Sequence, residues 1–370
     1  MHPSSSCAKD HADCVLKSLK RYAYHSQSYS ILRSDKSYFF SPSGMDGVIA
    51  YVVHANVALA AGDPLCDPSD LREFIAEFRD FCSAQKWRCC FQSATERCKK
   101  ALEELDFGMI KMGEEPIFEL DKLSWAGRKF RSLRKNIRNA GNHGLTVVEY
   151  RPLSGRRPDW EKGMEQLSAA WVKSKGSNEF AFLIGEPGLA DPGERKYFLA
   201  LNDDEVEAFV VCTPIYTRNG IYFDLMRRKK KTLSGTSQLL ISESFRLLKE
   251  QGYAMATLGT APLANEHVDD PAQSYIIELA LKLAFNHLGH FYRFKPLYQF
   301  KKQFGPTYWE GRYLAFSPQR FNPVMLYALL KAYDPSGVTG KLSREIQHAW
   351  QGVKKLDQVP ENLLDRFKRK

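Results

Sequence analysis

The sequence predicts an α/β (α+β) fold built from two similar halves that a basic helix joins. The chain has 370 residues, which exceeds the usual size of one hydrophobic core. Short runs of β-branched and aromatic residues predict strands, and apolar residues at helical spacing predict helices. Both halves follow one order: hairpin strands, a helix, a strand, a helix and a strand. We therefore expect domains at 18–142 and 143–320 and a helical tail at 321–370.

The first half is predicted to hold a mostly antiparallel sheet with two helices. Its strands are expected at 38–40, 47–53, 57–60, 87–92 and 116–120. A helix follows Asp70, because apolar residues recur on one stripe there. They are Leu71, Phe74, Ile75, Phe78 and Phe81. A second helix is expected at 95–105.

A basic helix over 122–142 is predicted to join the halves, with Gly141 and Gly144 ending it. In the second half, strands are expected at 145–150, 205–214, 220–226 and 254–258, and helices at 160–175, 235–251 and 271–288. Asn219 and Gly220 supply the positive φ that a tight hairpin turn needs. No residue-level repeat accompanies the shared order, so the duplication is inferred from the elements alone.

Charge and cysteine usage limit the classes of partner. The net charge of +10 and pI near 9.1 favour an anionic partner, such as nucleic acid or an acidic membrane surface. Eight cysteines show no CxxC pair and no histidine at ligand spacing, which argues against a metal site. Cys82, Cys89 and Cys90 fit a core in a reducing compartment.

The predicted location is the cytoplasm, with contact to a membrane only from its surface. Residues 1–19 lack the apolar run of a signal peptide, and the longest apolar stretches are too short to span a bilayer. The sequence leaves the oligomeric state open.

Asp224 and Arg227 come at the end of a predicted strand, where αβ folds place ligand clefts. A carboxylate there suits orienting or deprotonating a hydroxyl, and a guanidinium suits clamping a phosphate or an oxyanion. A local salt bridge between the two is the alternative. Arg228, Lys229 and Lys230 then lead to a helix start, a combination that attracts phosphate, although a solvated loop fits equally.

Residues 291–314 interleave aromatic residues with lysines. Such a surface suits a polyanion beside a stacked or packed group. The alternative is an amphipathic segment whose aromatic residues face the core while its lysines are solvated.

Seven short motifs occur in an order that is similar to a known family. They are Tyr38-Phe39-Phe40, Gly62-Asp63-Pro64, Gly127-Arg128-Lys129 with Leu133-Arg134, Glu179-Phe180, Asp224-Leu225-Met226-Arg227, 258–263 and 292–314. Over about residues 20–318 the chain resembles the C-terminal catalytic domain of phosphatidylglycerol lysyltransferases and alanyl-phosphatidylglycerol synthases, the multiple peptide resistance factors. Most familiar members also carry an amino-terminal, many-helix membrane domain, and we expect no stretch of this sequence to form one.

The resemblance implies two tandem acetyltransferase-like (GNAT) domains. It also implies transfer of an aminoacyl group from aminoacyl-tRNA to a lipid hydroxyl, with phosphatidylglycerol as the first candidate acceptor. Asp224 and Arg227 match the family's activity-critical pair. Carried over as substrate-binding are Glu179, Tyr292, Lys295, Lys301 and Arg312. By their charge, the basic residues Arg128, Lys129, Arg131, Arg134, Arg228, Lys229 and Lys230 would suit binding of the tRNA. No metal or other cofactor is expected, because the tRNA ester is already activated.

The chain departs from the family pattern at two further places. Thr236 and Ser237 stand where the family usually has Met-Asp, which leaves the choice of amino acid and acceptor open. Pro296 follows Lys295 in place of a small residue, so a different position of that loop is expected. A sterol hydroxyl or a peptide amine remains an alternative acceptor.

Two other classes of function compete. A coenzyme A-dependent N-acyltransferase needs a glycine-rich pyrophosphate loop, but residues 231–237 hold one glycine at the wrong spacing. In a non-enzymatic RNA-binding module, Asp224 would have no functional role.

Overall fold

The computed structural model describes residues 5–175, 189, 192–262 and 294–333. Its helices are α1 (Ser5–Tyr22), α2 (Leu71–Ala84), α3 (Glu96–Glu104), α4 (Arg131–Asn142), α5 (Pro158–Lys175), α6 (Thr236–Glu250), α7 (Phe294–Lys302) and α8 (Pro323–Tyr333). Its strands are β1 (Ser37–Phe39), β2 (Gly47–His54), β3 (Val57–Ala61), β4 (Leu65–Cys66), β5 (Arg88–Ala94), β6 (Gly108–Glu119), β7 (Thr146–Tyr150), β8 (Lys196–Asn202), β9 (Glu205–Ile215), β10 (Gly220–Arg228), β11 (Met255–Thr257), β12 (Ala261–Pro262) and β13 (Tyr308–Ser317).

The strands form one mixed sheet, which confirms the predicted α/β class. Its order is β1-β2-β3-β5-β13-β6-β11-β10-β9-β8-β7, with β4 on β2 and β12 on β6. Strand β5 runs parallel to β3, and β11 runs parallel to β10, whereas the other pairs are antiparallel. Each parallel strand follows a hairpin and a helix, namely β2, β3 and α2 in the first half and β9, β10 and α6 in the second.

The two halves exchange strands at the middle of the sheet. Strand β13 comes from the second half of the chain, yet it lies between β5 and β6 of the first half. Strand β6 in turn lies between β13 and β11. The sheet is therefore continuous across both halves, and the domain boundaries at 142 and 320 stay a prediction.

Apolar faces hold the helices on the sheet as the sequence pattern predicts. On α2, Leu71, Phe74, Ile75 and Phe78 are buried. They pack with β5 and β3 residues in one cluster, and α6 packs in another with Phe223 and the strands of the second half. Burial of one large apolar side chain contributes about 1.5–3 kcal/mol.

The basic helix is shorter than predicted. Residues 122–127 are not helical, a 3-10 turn covers Arg128–Phe130, and α4 begins at Arg131. Gly127 has φ of +84°, which interrupts any continuous helix. Arg134 Nη1 donates to the carbonyls of Trp125 and Gly127 and so fixes the non-helical approach.

Strand β8 and the first part of β6 were not predicted, whereas the hairpin at Asn219 (φ +44°) is confirmed. The predicted helix at 271–288 lies outside the described residues. Cys82, Cys89 and Cys90 are buried thiols, as expected. Within the described ranges, no group of acidic, histidine or cysteine side chains is arranged to hold a metal ion, and none of the helices has the length and apolarity to cross a membrane.

Candidate active site

Strands β10 and β11 begin side by side and then separate. They pair from Gly220 opposite Met255 to Tyr222 opposite Thr257. Beyond that point the chain after β11 stays on β6 through β12, whereas β10 continues along β9 to Arg228. A gap therefore opens between two neighbouring strands, at the strand ends where αβ folds hold ligands.

Asp224 is the bulged residue of β10 at this gap. The register with β9 passes from Phe223 opposite Cys212 to Leu225 opposite Val211, so β10 holds one extra residue there. Its side chain is half-buried. Bulges re-aim side chains and are over-represented next to active sites. The structure thus places the predicted acidic residue on a bulge, two residues beyond the last β10–β11 pair.

Arg227 lies on the α5 face of the sheet, near the end of β10. Only 7% of the residue is exposed, and its guanidinium carbon lies 3.7 Å from the centre of the Trp171 ring on α5. Its Nη1 donates to the carbonyl of Met226 at 3.2 Å. The predicted arginine is therefore held by an aromatic face.

A cavity of about 430 Å³ lies on the opposite face of β10, against the first turn of α6. Met226 and Arg228 of β10 and Phe300 of α7 line it together with residues 232–238. This volume is within the range of small-molecule sites. A helix N-terminus and an exposed arginine both favour an anionic group.

Gly235 at the start of α6 serves helix packing. Its φ is +97°, and a Cβ there would lie 2.1 Å from the carbonyl oxygen of Asn136 on α4. The glycine therefore permits close contact between α4 and α6. This use of the single glycine in 231–237 agrees with the absence of a glycine-rich pyrophosphate loop from the sequence.

A buried charged pair lies beside the gap, where β6 and β13 cross between the halves. Arg312 is 1% exposed and Glu115 is 0% exposed, with Nη2 2.6 Å from Oε2. Thr257 and Ser26 each donate a hydroxyl to this carboxylate at 2.8 and 2.9 Å. Burial alone would raise the pKa of Glu115, but Arg312 and the hydroxyl donors outweigh it and hold that pKa below its usual value. In this conformation Arg312 is a structural group, and its role toward substrate stays a prediction.

Lys301 of α7 points inward. Its Nζ donates to the carbonyls of Gly259 and Thr260 at 2.7 and 2.8 Å, and the residue is 6% exposed. Burial lowers the pKa of Lys301 to about 7, although the charge of Glu115 opposes that shift. Lys301 therefore fixes the chain just after β11, on the far side of the gap from Asp224. The alternative of a solvated lysine is therefore wrong for Lys301, and the predicted role of Lys301 in substrate binding stays a prediction.

Replacing Lys301 should change how stability depends on pH. Its pKa is about 7 when folded and about 10.4 when unfolded, so the unfolded chain binds more protons between those values. The free energy of unfolding of the wild type should therefore increase relative to that of Lys301→Met as the pH rises from about 7 to about 9. Urea denaturation across that range measures the gain. Lys302→Met is the control, since Lys302 is exposed, and equal pH slopes for wild type and Lys301→Met would contradict the expectation.

The other residues of the predicted anion-binding segment divide between core and surface. Phe304 is fully buried, Phe300 packs against the same cluster, and Tyr298 stacks near Trp309 at 4.8 Å. This burial favours the amphipathic interpretation for those aromatic residues. Lys295 lies in α7, whereas Glu179 and Tyr292 lie outside the described residues.

The basic residues proposed for tRNA fall into two groups. Exposed ones are Arg128, Lys129, Arg131, Arg228 and Lys230. Arg134 instead caps backbone carbonyls, and Lys229 pairs with Glu205 and Glu207 at 2.7 and 2.6 Å. These two side chains therefore have local structural partners.

The matching point in the first half is closed. Asp63 follows β3 and accepts hydrogen bonds from the backbone N–H and the hydroxyl of Thr95 at 2.9 and 2.5 Å. His25 is 1% exposed and contacts Gly62 there. The two halves thus share a plan but not a cleft.

A sequence profile of the family described as "Phosphatidylglycerol lysyltransferase, C-terminal" matches residues 16–316. The match includes both halves, the bulged strand and the Lys301–Arg312 segment. The chain belongs to this family.

The compared relatives share about a quarter of the aligned residues with this chain. The phosphatidylglycerol lysyltransferase of Bacillus subtilis is 25% identical over 298 residues, which cover 80% of this chain and 34% of that protein. This chain thus spans about a third of that relative.

Solved structures agree with the fold. The C-terminal domain (DUF2156) of a putative lysylphosphatidylglycerol synthetase from Agrobacterium fabrum has a TM-score of 0.74 at 23% identity, covering 90% of this chain and 99% of that one. L-PGS from Bacillus licheniformis has a TM-score of 0.72 at 24% identity, covering 91% of this chain and 96% of that one. At this identity, both similarities show a shared fold.

Sequence reasoning missed Trp171 and Glu115. Trp171 lies on a helix far along the chain from Arg227, and nothing in its local pattern differs from a packing residue. Glu115 comes just before Pro116, where the predicted strand begins, so it lay outside the predicted elements. A carboxylate within a long strand beside a buried arginine becomes visible only when β6 and β13 are paired.

Proposed function

We propose that this protein transfers an aminoacyl group from aminoacyl-tRNA to the hydroxyl of an anionic lipid, with phosphatidylglycerol as the first candidate. The observation that carries the proposal is Asp224 on a bulge where β10 leaves β11, followed by Arg227 on the same strand. Family membership and the printed names of the relatives support the choice of reaction.

The reaction needs positioning more than new chemistry. The lipid hydroxyl oxygen attacks the carbonyl carbon of the ester, the bond to the ribose oxygen breaks, and the hydroxyl proton ends on that ribose oxygen. One ester replaces another, so the donor already carries the required free energy. Asp224 is suited to receive the proton, and Arg227 to hold an anionic oxygen.

Two faces of β10 offer the two substrates separate approaches. The cavity at α6 has a helix N-terminus and Arg228, which suit the phosphates at the 3′ end of the tRNA. Arg227 faces α5 on the other side of the sheet. Strand β10 separates from β11 between these two faces, so we propose that ester and hydroxyl meet there.

Incubating the protein with a mixture of charged tRNAs and lipid extract, followed by mass spectrometry of the lipids, tests the function. We expect an aminoacyl ester of a glycerophospholipid. If a sterol or a peptide is modified instead, the proposed acceptor is wrong and aminoacyl-tRNA remains the donor. If no charged tRNA gives a modified product and calorimetry shows binding of acetyl-coenzyme A, the proposed transfer is wrong and N-acylation is the better assignment.

The exposed face of α4 should carry tRNA affinity. Arg131, Lys135 and Arg138 lie at helical spacing on one face, and all are exposed. Reversing all three to glutamate should weaken tRNA binding and reduce the slope of log affinity against log salt by about 2–3. Filter binding at several salt concentrations measures both.

A matched control is a charge reversal of Arg72, Lys99 and Lys100 on α2 and α3, which changes the net charge equally. An equal loss of affinity in both variants would show that total charge, and not the face of α4, attracts the tRNA.

A further inference from the structure

The guanidinium of Arg227 lies over the ring of Trp171. The guanidinium carbon is 3.7 Å from the ring centre, which is close for a cation over an aromatic face. Trp171 is half-buried on α5, and Arg227 is almost fully buried. Burying a guanidinium on a strand that faces a cleft is costly unless its environment is arranged for it.

The bulge at Asp224 directs Arg227 to this ring. Ile221 and Phe223 pack on the α6 face of the sheet, whereas Leu225 packs on the α5 face. Successive residues of a strand alternate between faces, so Phe223 and Leu225 would share a face if no extra residue stood between them. The same extra residue turns Arg227 from the α6 face to the α5 face.

Two features that are distant in sequence therefore fix one orientation. One is the extra residue in β10, and the other is a tryptophan on α5. A stacked ring fixes the plane of a guanidinium and adds no charge of its own, unlike a carboxylate. An arginine held in this way is suited to bind an anionic oxygen.

We propose that Trp171 is a positioning residue, which sets the plane of the Arg227 guanidinium so that it binds an anionic oxygen of the reaction. This proposal rests on the proposed transfer reaction. The oxygen belongs either to the phosphate of the acceptor lipid or to the oxyanion that forms at the ester carbonyl. Loss of the ring raises KM for the lipid in the first case and lowers kcat in the second.

A double-mutant cycle tests the coupling. Trp171→Phe keeps a ring and should retain transfer within about threefold, whereas Trp171→Leu should lose about tenfold in kcat/KM. Arg227→Lys should lose more, because it removes the planar fork. Trp171→Leu combined with Arg227→Lys should be no slower than Arg227→Lys alone. The proposal is wrong if the double variant loses the product of the two single losses in kcat/KM, or if Trp171→Leu is as active as wild type.

A second readout does not depend on activity. In protein labelled with ¹⁵N-arginine, the Nε–H signal of Arg227 is assigned by its loss in Arg227→Lys. Its order parameter should fall in Trp171→Leu and be kept in Trp171→Phe. An unchanged order parameter in Trp171→Leu would sink the positioning role. If the wild-type protein has no transfer activity but the order parameter still falls in Trp171→Leu, the transfer reaction is refuted and the positioning of Arg227 by Trp171 is retained.

Discussion

Asp224→Asn should lower kcat for aminoacyl transfer by about 100-fold or more, because a positioned base contributes 10²–10⁴-fold. The amide has nearly the same size and can still donate or accept hydrogen bonds, but it cannot take the hydroxyl proton. The side chain is half-buried on a bulge, so the fold should survive. Initial rates with charged tRNA and phosphatidylglycerol vesicles measure the loss, and thermal unfolding checks the fold.

Asp121→Asn is the matched control for this change. Asp121 has an 88% exposed side chain, lies outside the gap and pairs weakly with Lys249 at 3.7 Å. Asp121→Asn should leave the rate of aminoacyl transfer unchanged. An Asp224→Asn variant that transfers within twofold of wild type would remove Asp224 from the mechanism and favour a purely binding role for this strand.

Glu115→Gln should lower the free energy of unfolding by up to about 3–5 kcal/mol, the typical cost of removing one partner of a buried ion pair. Glu310 remains 3.1 Å from Arg312 and limits that cost. Arg312 is 1% exposed and would face a neutral amide in place of its carboxylate. The pair joins β6 to β13, so the loss acts where the two halves exchange strands. Urea denaturation measures it.

Glu119→Gln on the same strand provides the comparison. Glu119 pairs at 2.8 Å with Lys122, whose side chain is 70% exposed, and a surface pair contributes only about 0–1 kcal/mol. Similar losses in the two variants would contradict a special role for the buried pair.

The stability difference between wild type and Glu115→Gln should also depend on pH. The folded pKa of Glu115 lies below its unfolded value, so the carboxylate stabilises the fold above the unfolded pKa. That contribution is lost as the pH falls through the folded pKa. The difference between the two proteins should therefore narrow as the pH falls below about 4.3. A difference that stays constant into acid would argue against a charged Glu115.

Local patterns predicted most of the elements, because apolar spacing and turn residues act over a few positions. The stripe on α2 and the Asn219 turn are examples that the structure confirms. The same reasoning extended the basic helix back to residue 122, since composition does not reveal the positive φ of Gly127. It did not predict the buried position of Lys301, because sequence spacing does not show that two carbonyls of another segment accept hydrogen bonds from its ammonium group.

For the site, the sequence supplied Asp224 and Arg227 but not their setting. An arginine near a strand end is visible in the sequence, whereas the ring that holds it comes from α5. Glu115 and Arg312 were likewise brought together by the pairing of β6 with β13. Contacts between distant segments depend on register, and register is fixed by the whole sheet.

By itself, the sequence determined the α/β class, the order of most elements, the family resemblance and the strand that carries the acidic and basic pair. These properties follow from local spacing and from motifs whose residues are neighbours. Only the tertiary structure decided the exchange of β6 and β13, the gap between β10 and β11, and the face on which Arg227 lies. One extra residue in β10 reverses the direction of each side chain after it, and that reversal exists only relative to β9 and the helices on either side.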